Sequence, residues 1–445
     1  MQRGKRGRRS IVRSKAAKGQ IRTQKVYEHS VPELYLHGLA AMIGLGILVL
    51  PIVALMLYSS LSIYLIVAAG FIALMLGVLI YDISLSHNKD PYAFLKHTVG
   101  KEYSFIFGFL FLISLLITTI AAGIASIDVL ASMGVNILLS TLIVDIIFVI
   151  MWITLYYKRE RRVLNFVGAL KILFLVLLVA IAVAAISATG VKAYTVNSLP
   201  SYLPVSSIST MVLLLVLFVW MYGGFESIAT VYKGEDKSKV ARALVYSITS
   251  LILVFGLIQV LIYLLGPSIP IISGIPSISS LLTSNISAIL FTSSGVGYFI
   301  ITGLAFIVIL TIAFAVMNAG NKVLHDMSLD GIVPSYVAKS ENYKLILTAA
   351  LPMVLITILA VSSLTSPLLY IGIIALSAIS LIAAFFFLSL GYASHYSKSK
   401  DYMRVVYGVI IAAILLFFII FVPPALLIGL FVILAVALIG YLLIR

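Results

Sequence analysis

Two pairs of glycines interrupt long apolar stretches at corresponding places, IGLGI at Ile43 to Ile47 and YGGFE at Tyr222 to Glu226. Glycine is costly inside a helix, and in lipid any freed backbone N–H or C=O must find a partner within the protein. Such breaks persist where they line an enclosed cavity. At each one the outgoing half-helix starts with free N–H groups and a positive dipole, while the incoming half ends with free C=O groups and a negative dipole. A cavity offering both suits a zwitterion, with a carboxylate against the amides of Gly44, Leu45, Gly46 and Ile47 and an ammonium against the carbonyls preceding each break. The small compact zwitterions of metabolism are amino acids. Close helix packing is the competing use of such glycines, and it explains a single break as readily as a site does. A matched pair favours the site.

Two charged residues share this apolar setting. Lys171 either snorkels its long stem towards the nearer face or sits in dry surroundings, where it would exchange a proton. Glu226 serves either as a packed hydrogen-bonding group, the favoured role, or in proton transfer. Asp128 and Asp145 read as interfacial residues or helix-to-helix acceptors and are unassigned. The 6 histidines are dispersed towards one face, and no HExxH or P-loop spacing occurs. The chain has no cysteine, which removes disulfides, thiolate metal sites and cysteine nucleophiles. Neither an enzyme nor a metal or cofactor site is therefore expected.

The elements that must hold these residues are membrane spans. Hydrophobic residues make up 62% of the chain, charged residues 10%, and the mean hydropathy is +1.20, which a soluble globule with a polar surface cannot accommodate. Crossing about 30 Å of hydrocarbon takes roughly 20 residues, and about twelve stretches qualify. They cover about 34–58, 61–82, 104–130, 137–156, 163–188 and 208–231, then 244–265, 297–324, 345–362, 367–390, 405–422 and 424–444. Residues 1–32 form a tail crowded with Lys and Arg between Arg3 and Lys25 and are read as a disordered cytoplasmic segment. Its charge is assigned to topology anchoring and lipid headgroups, with no nucleic-acid partner. Placing the amino terminus inside puts Lys89, Lys96, Lys101, the KRERR run at Lys158 to Arg162, Lys233 to Arg242, Lys339, Lys344 and Lys398 to Arg404 in cytoplasmic loops, leaving Lys192 outside. Both termini then lie in the cytoplasm.

The two breaks are five spans apart, and because five is odd, a second five-span unit runs through the bilayer upside down relative to the first. The chain thus divides into a first unit at 33–189, an inverted second unit at 207–390 and two accessory spans at 403–445. No sequence repeat is visible. The expected fold is an all-α integral membrane protein of about 12 spans built as a 5+5 inverted repeat, with spans 1 and 6 broken.

At these same residues the chain resembles the amino acid-polyamine-organocation superfamily of permeases, whose fold is of the leucine-transporter type. GLAAMIGLGILVLP, Gly38 to Pro51, is similar to that family's first-span signature, with Leu45 standing where a small or hydroxylated residue is usual. LFVWMYGGFESIA, Leu217 to Ala229, is similar to its sixth span, and the likeness implies that Trp220 gates the substrate and Glu226 belongs to the inner half-helix. LNFVGALKILFLVLL, Leu164 to Leu178, resembles a fifth span in which a lysine takes the place of a sodium ion, implying proton coupling through Lys171. NKVLHDMSLDGIVP, Asn321 to Pro334, resembles the segment after the eighth span, where Asp330, Gly331 and Pro334 would stop the helix and fix the loop at the inner gate. PYAFLKHTVG, Pro91 to Gly100, matches in part, with Asp90 and Pro91 where glycines are usual. Thr118, Thr119, Ala121, Ala122 and Gly123 form a small-residue patch of the kind the family uses to shape its pocket.

The resemblance implies substrate contact by Met42, Gly44, Leu45, Gly46, Ile47, Trp220, Gly223 and Gly224. The expected activity is secondary active transport of an amino acid across the cell membrane by alternating access, with proton-coupled uptake. An amino acid or amine exchanger and a non-transporting nutrient receptor on the same fold are the alternatives. A channel would be expected to show a charged ring or a filter segment instead of paired antiparallel breaks. The identity of the amino acid and the oligomeric state are not written in these residues.

Overall fold

The structure is a computed structural model, and it describes residues 30–87, 89–157, 160–189, 207–231, 236–265, 296–331, 333, 337, 340–361 and 367–444. Most of the basic tail, Lys192 and Pro334 lie outside them. Among the described residues the regular secondary structure is all helical. Eleven helices are long and apolar enough to cross a membrane, and a bent pair, Val31–Met42 with Leu45–Leu55, makes a twelfth span. Numbered along the chain, span 1 is Val31–Met42 plus Leu45–Tyr58, span 2 Leu61–His87, span 3 Lys101–Ser132, span 4 Ile137–Tyr156 and span 5 Glu160–Thr189. Span 6 is Ile208–Met221 plus Phe225–Val231, span 7 Lys237–Leu265, span 8 Val296–Leu329 and span 9 Glu341–Val361 with a π-helical turn at Ile346–Ala350. Span 10 is Pro367–Lys398, span 11 Tyr402–Phe421 and span 12 Pro424–Ile444.

Local chemistry sets several of these boundaries. Ser30 caps span 1 in a capping box with Glu33, and Pro32 occupies the first turn, where a missing N–H costs nothing. Asp90 and Pro91, which depart from the family pattern, start a short helix at Pro91–Thr98, with the Asp90 carboxylate accepting from Ala93 N at 2.8 Å. Span 8 stops where Gly331 takes a φ of +72° and the Val333 and Gly331 amides return to Met327 and Ser328.

Span 1 lies against span 6, span 2 against 7, span 3 against 8 and span 4 against 9, so spans five apart along the chain are neighbours. Span 10 packs on spans 3 and 11, while spans 11 and 12 flank this core and turn much of their apolar surface outward. Helices alternate direction, so Lys89 and the helix-end residues Lys96, Lys344 and Lys398 share one side with the start of span 1; this side is called the basic face below. There, Asp82 of span 2 accepts from Arg404 of span 11 at 2.8 Å and from Tyr392 of span 10 at 2.7 Å, and the Arg404 guanidinium lies 4.7 Å above the Tyr396 ring.

Without a hydrophobic force between helices in lipid, close backbone approach matters more than bulk apolarity. Spans 1 and 5 meet where Gly168 faces Leu36, and a Cβ on Gly168 would stand 2.3 Å from the Leu36 carbonyl oxygen. Gly168→Ala is therefore expected to lower stability by about 1–3 kcal/mol through overpacking against rigid backbone. Gly303→Ala, where a Cβ meets nothing within 4 Å, should leave it nearly unchanged. Thermal unfolding of the two purified variants checks this, and equal midpoints would contradict the packing of span 1 on span 5.

Candidate functional site

The first break opens between Met42 and Leu45. Ile43 is extended, Gly44 precedes the half-helix Leu45–Tyr58, and no side chain caps that half-helix. The two halves differ in direction by 53°. Gly44 packs closely: a Cβ there would come 2.5 Å from the tip of the Ile312 side chain of span 8. On the other side of the break, the half-helix Val31–Met42 ends with free carbonyls. Lys171 of span 5, fully buried, donates from Nζ to the Ala40 carbonyl at 2.5 Å. A cation at the carbonyl end of a helix meets the negative end of its dipole.

The second break is a turn at Tyr222, Gly223 and Gly224. The Tyr222 amide still reaches Phe218 O, the Gly223 amide tightens onto Trp220 O at 2.8 Å, and Gly224 takes a φ of +108° that L side chains rarely adopt. The freed Gly224 N–H is met by the Glu226 carboxylate, whose two oxygens stand 3.0 and 2.9 Å away. That carboxylate lies at the start of the half-helix Phe225–Val231, where the dipole favours negative charge. A Cβ on Gly224 would lie 2.5 Å from the Ala41 carbonyl oxygen, so the two breaks touch back to back.

Between them is a cavity of about 30 Å³. The broken spans contribute Ala41, Met42, Gly46, Trp220, Met221, Gly223, Gly224 and Glu226 to its wall. Span 3 adds Ser114, Leu115 and Thr118, span 8 adds Ile312 and Val316, and span 10 adds Leu381. This space holds a water or two but not an amino acid, so a larger occupant has to part the walls. The Met221 side chain packs directly on Gly46, lying 2.5 Å from where a Cβ on that residue would be. Trp220 is fixed across three spans: its indole Nε1–H donates to Ser377 Oγ at 3.0 Å and to Thr118 Oγ1 at 3.3 Å. Ser377 in turn donates to the Ser114 carbonyl at 2.9 Å and shares a hydrogen bond with Thr118 at 2.8 Å.

Met42, Gly46, Trp220, Gly223, Gly224 and Glu226 thus meet on one cavity. Gly44, Leu45 and Ile47 are buried but stand behind its wall, and Lys171 lies behind the first break. Asp330 is at the basic face, where it accepts from Tyr92 Oη at 3.0 Å and pairs with Lys96, joining the end of span 8 to the helix Pro91–Thr98. Burial, and then the Asp330 carboxylate beside it, push the Tyr92 phenol well above its ordinary pKa, so it stays a donor. Asp145 accepts from Thr357 Oγ1 at 3.0 Å, linking spans 4 and 9.

Ser114, Ser377 and Met221 were not singled out by the sequence. Ser114 and Thr118 carry a usable signal, two hydroxyls one helical turn apart in an apolar span. Leu381 carries none. Among the described residues, no group of three His, Cys, Asp or Glu side chains is placed to hold a metal ion.

A family model described as amino acid permease matches residues 32–442 of the chain. No curated protein matches it. Among solved structures, the chain is similar to the Eremococcus coleocola manganese transporter in complex with an aromatic bis-isothiourea substituted compound, at 12% identity, with 93% of each chain covered and a TM-score of 0.61. Two single-residue mutants of that transporter align with 12% identity over 93% of each chain, with TM-scores of 0.59 and 0.57. At this identity the likeness speaks for the fold alone.

The indole contact gives a direct check on the wall of the cavity. A double-mutant cycle of Trp220→Phe and Ser377→Ala, read by thermal or denaturant unfolding, should return a coupling of about 1 kcal/mol, the net worth of one buried hydrogen bond. A coupling indistinguishable from zero would mean that spans 6 and 10 are not joined there.

Proposed function

The chain belongs to the amino acid permease family, and we propose that it takes up an amino acid across the cell membrane by alternating access, with a proton as the coupling ion. The observation that supports this most strongly is the back-to-back meeting of the two breaks on a single buried cavity. A substrate carboxylate would lie at the uncapped half-helix that begins at Leu45, near Gly46, and its ammonium near the carbonyl ends at Ala41 and Gly223. Met42 and Trp220 would shape the space around the side chain. Gly44, Leu45 and Ile47 would contribute through their backbone and through the width of the break.

A divalent metal ion, the cargo named for the structural neighbours, is less well matched. Manganese favours several hard oxygen donors, whereas the side chains on this wall include one carboxylate, which already accepts the Gly224 N–H. The apolar and hydroxyl lining suits a small organic solute better.

In this reading, units 33–189 and 207–390 supply the inverted halves, with both termini in the cytoplasm. The four spans around the breaks rock against the others. Lys171 acts through its bond to Ala40: an ammonium holds the carbonyl end of the inner half-helix more firmly than a neutral amine does, so its proton biases the position of that half against span 5. Glu226 holds the second break in shape, and Asp330 with Gly331 closes the basic face.

Uptake by reconstituted liposomes, across a panel of labelled amino acids with imposed pH or sodium gradients, tests the proposal. A pH difference of about one unit stores about 1.4 kcal/mol per proton, enough for roughly tenfold accumulation of a one-to-one cargo. Lys171→Ala is expected to abolish this accumulation while leaving counterflow of the same substrate. Full pH-driven accumulation by Lys171→Ala would remove the coupling assignment, and binding without any counterflow would replace a carrier with a receptor.

A further inference from the structure

A second polar space lies away from the central cavity, on the far side of span 8 near the basic face. It has a volume of about 230 Å³ and is bounded by the start of span 5, the end of span 4, the last turns of span 8 and the first turns of span 9. Among the described residues its polar lining is Glu160, Asn318, Asn321, Lys322, His325 and Lys344. Donors predominate. The Asn318 amide nitrogen is buried without a hydrogen-bond partner, in a residue 5% exposed. The Asn321 oxygen is taken by Thr348 Oγ1 at 2.5 Å, which leaves its amide hydrogens available to the space. Lys344 is buried and stands 3.4 Å from His325 Nδ1. The one carboxylate among them is Glu160, whose Oε2 is also buried without a hydrogen-bond partner.

Two lysines and two amides converging against one carboxylate call for a particular ligand. The donors recognise an oxyanion, and a bare oxyanion would be repelled by Glu160 unless one of its oxygens carried a hydrogen that Glu160 could accept. We infer that the cavity between spans 4, 5, 8 and 9 is a binding site for a protonated oxyanion, either hydrogen phosphate or the singly protonated form of a phosphate monoester. Span 9 has its π-helical turn at Ile346–Ala350, just beyond Lys344 and around Thr348, and such turns accompany functional sites. An occupant would tie span 5 to spans 8 and 9 at the basic face, beyond the reach of the central cavity. The same chemistry could arrive free in solution or as the phosphate monoester headgroup of phosphatidic acid.

Sulfate separates this proposal from plain charge attraction, because it carries no proton at neutral pH. The full chain, purified in a neutral detergent, is expected to be stabilised against thermal unfolding by sodium phosphate and not by sodium sulfate at matched ionic strength. Glu160→Gln should let sulfate act as phosphate does. Asn318→Asp, nearly the same shape but with a second negative charge, should weaken phosphate at least about tenfold. Nanodiscs of neutral lipid, with or without phosphatidic acid, distinguish the sources: stabilisation by the lipid alone assigns the headgroup, and stabilisation by phosphate alone assigns the free ion. Equal effects of phosphate and sulfate on the parent chain, an unchanged phosphate response in a folded Asn318→Asp, or no response to either source would overturn the inference.

Discussion

Main-chain polar groups released inside an apolar solvent must be answered by the protein itself, and this constraint organises the molecule. Each break in spans 1 and 6 frees N–H and C=O groups at a depth where water cannot serve them. The answers are specific. Lys171 meets the Ala40 carbonyl, Glu226 meets the Gly224 amide, and Ser227 Oγ reaches the Gly224 carbonyl at 2.5 Å. Each of these side chains would be expensive in lipid by itself and becomes tolerable because a backbone group beside it has an equal need.

The same reasoning explains why the polar side chains of the central cavity are tied across spans. Trp220, Ser377, Ser114 and Thr118 form one chain of hydrogen bonds joining spans 3, 6 and 10, which satisfies each group while fixing the wall. Glycine does the complementary work. Where Gly224 meets Ala41 and Gly46 meets Met221, the missing Cβ atoms bring the two interrupted helices to a distance that no other residue permits. The cavity is narrow because these approaches are close.

Most of the architecture was legible in the sequence, because lipid makes its demands in long, simple runs. Every described span overlaps its expected apolar stretch, although span 7 begins earlier, at Lys237, and span 10 runs on to Lys398, and both breaks lie at the glycines that suggested them. Legibility failed where contacts come from distant parts of the chain. Nothing local marks Leu381 or Ser377 as neighbours of Trp220, and nothing shows that Leu45 and Ile47 turn away from the space that Gly46 faces. Asp90 and Pro91 looked like flaws in a family pattern, yet they cap a helix. The polar cavity beside span 8 has no local signature, since Asn318, Asn321 and His325 are spread over two turns of a helix with a different apolar face.

The cluster at Asp82 has a mechanical meaning. Its carboxylate sits on span 2, while the groups that grip it, Tyr392 and Arg404, belong to spans 10 and 11. Span 2 is therefore clamped near one end, and a tilt about that clamp would swing its opposite end through the larger arc, as a lever moves about its fulcrum. Travel would then be greatest on the side of the membrane away from the basic loops.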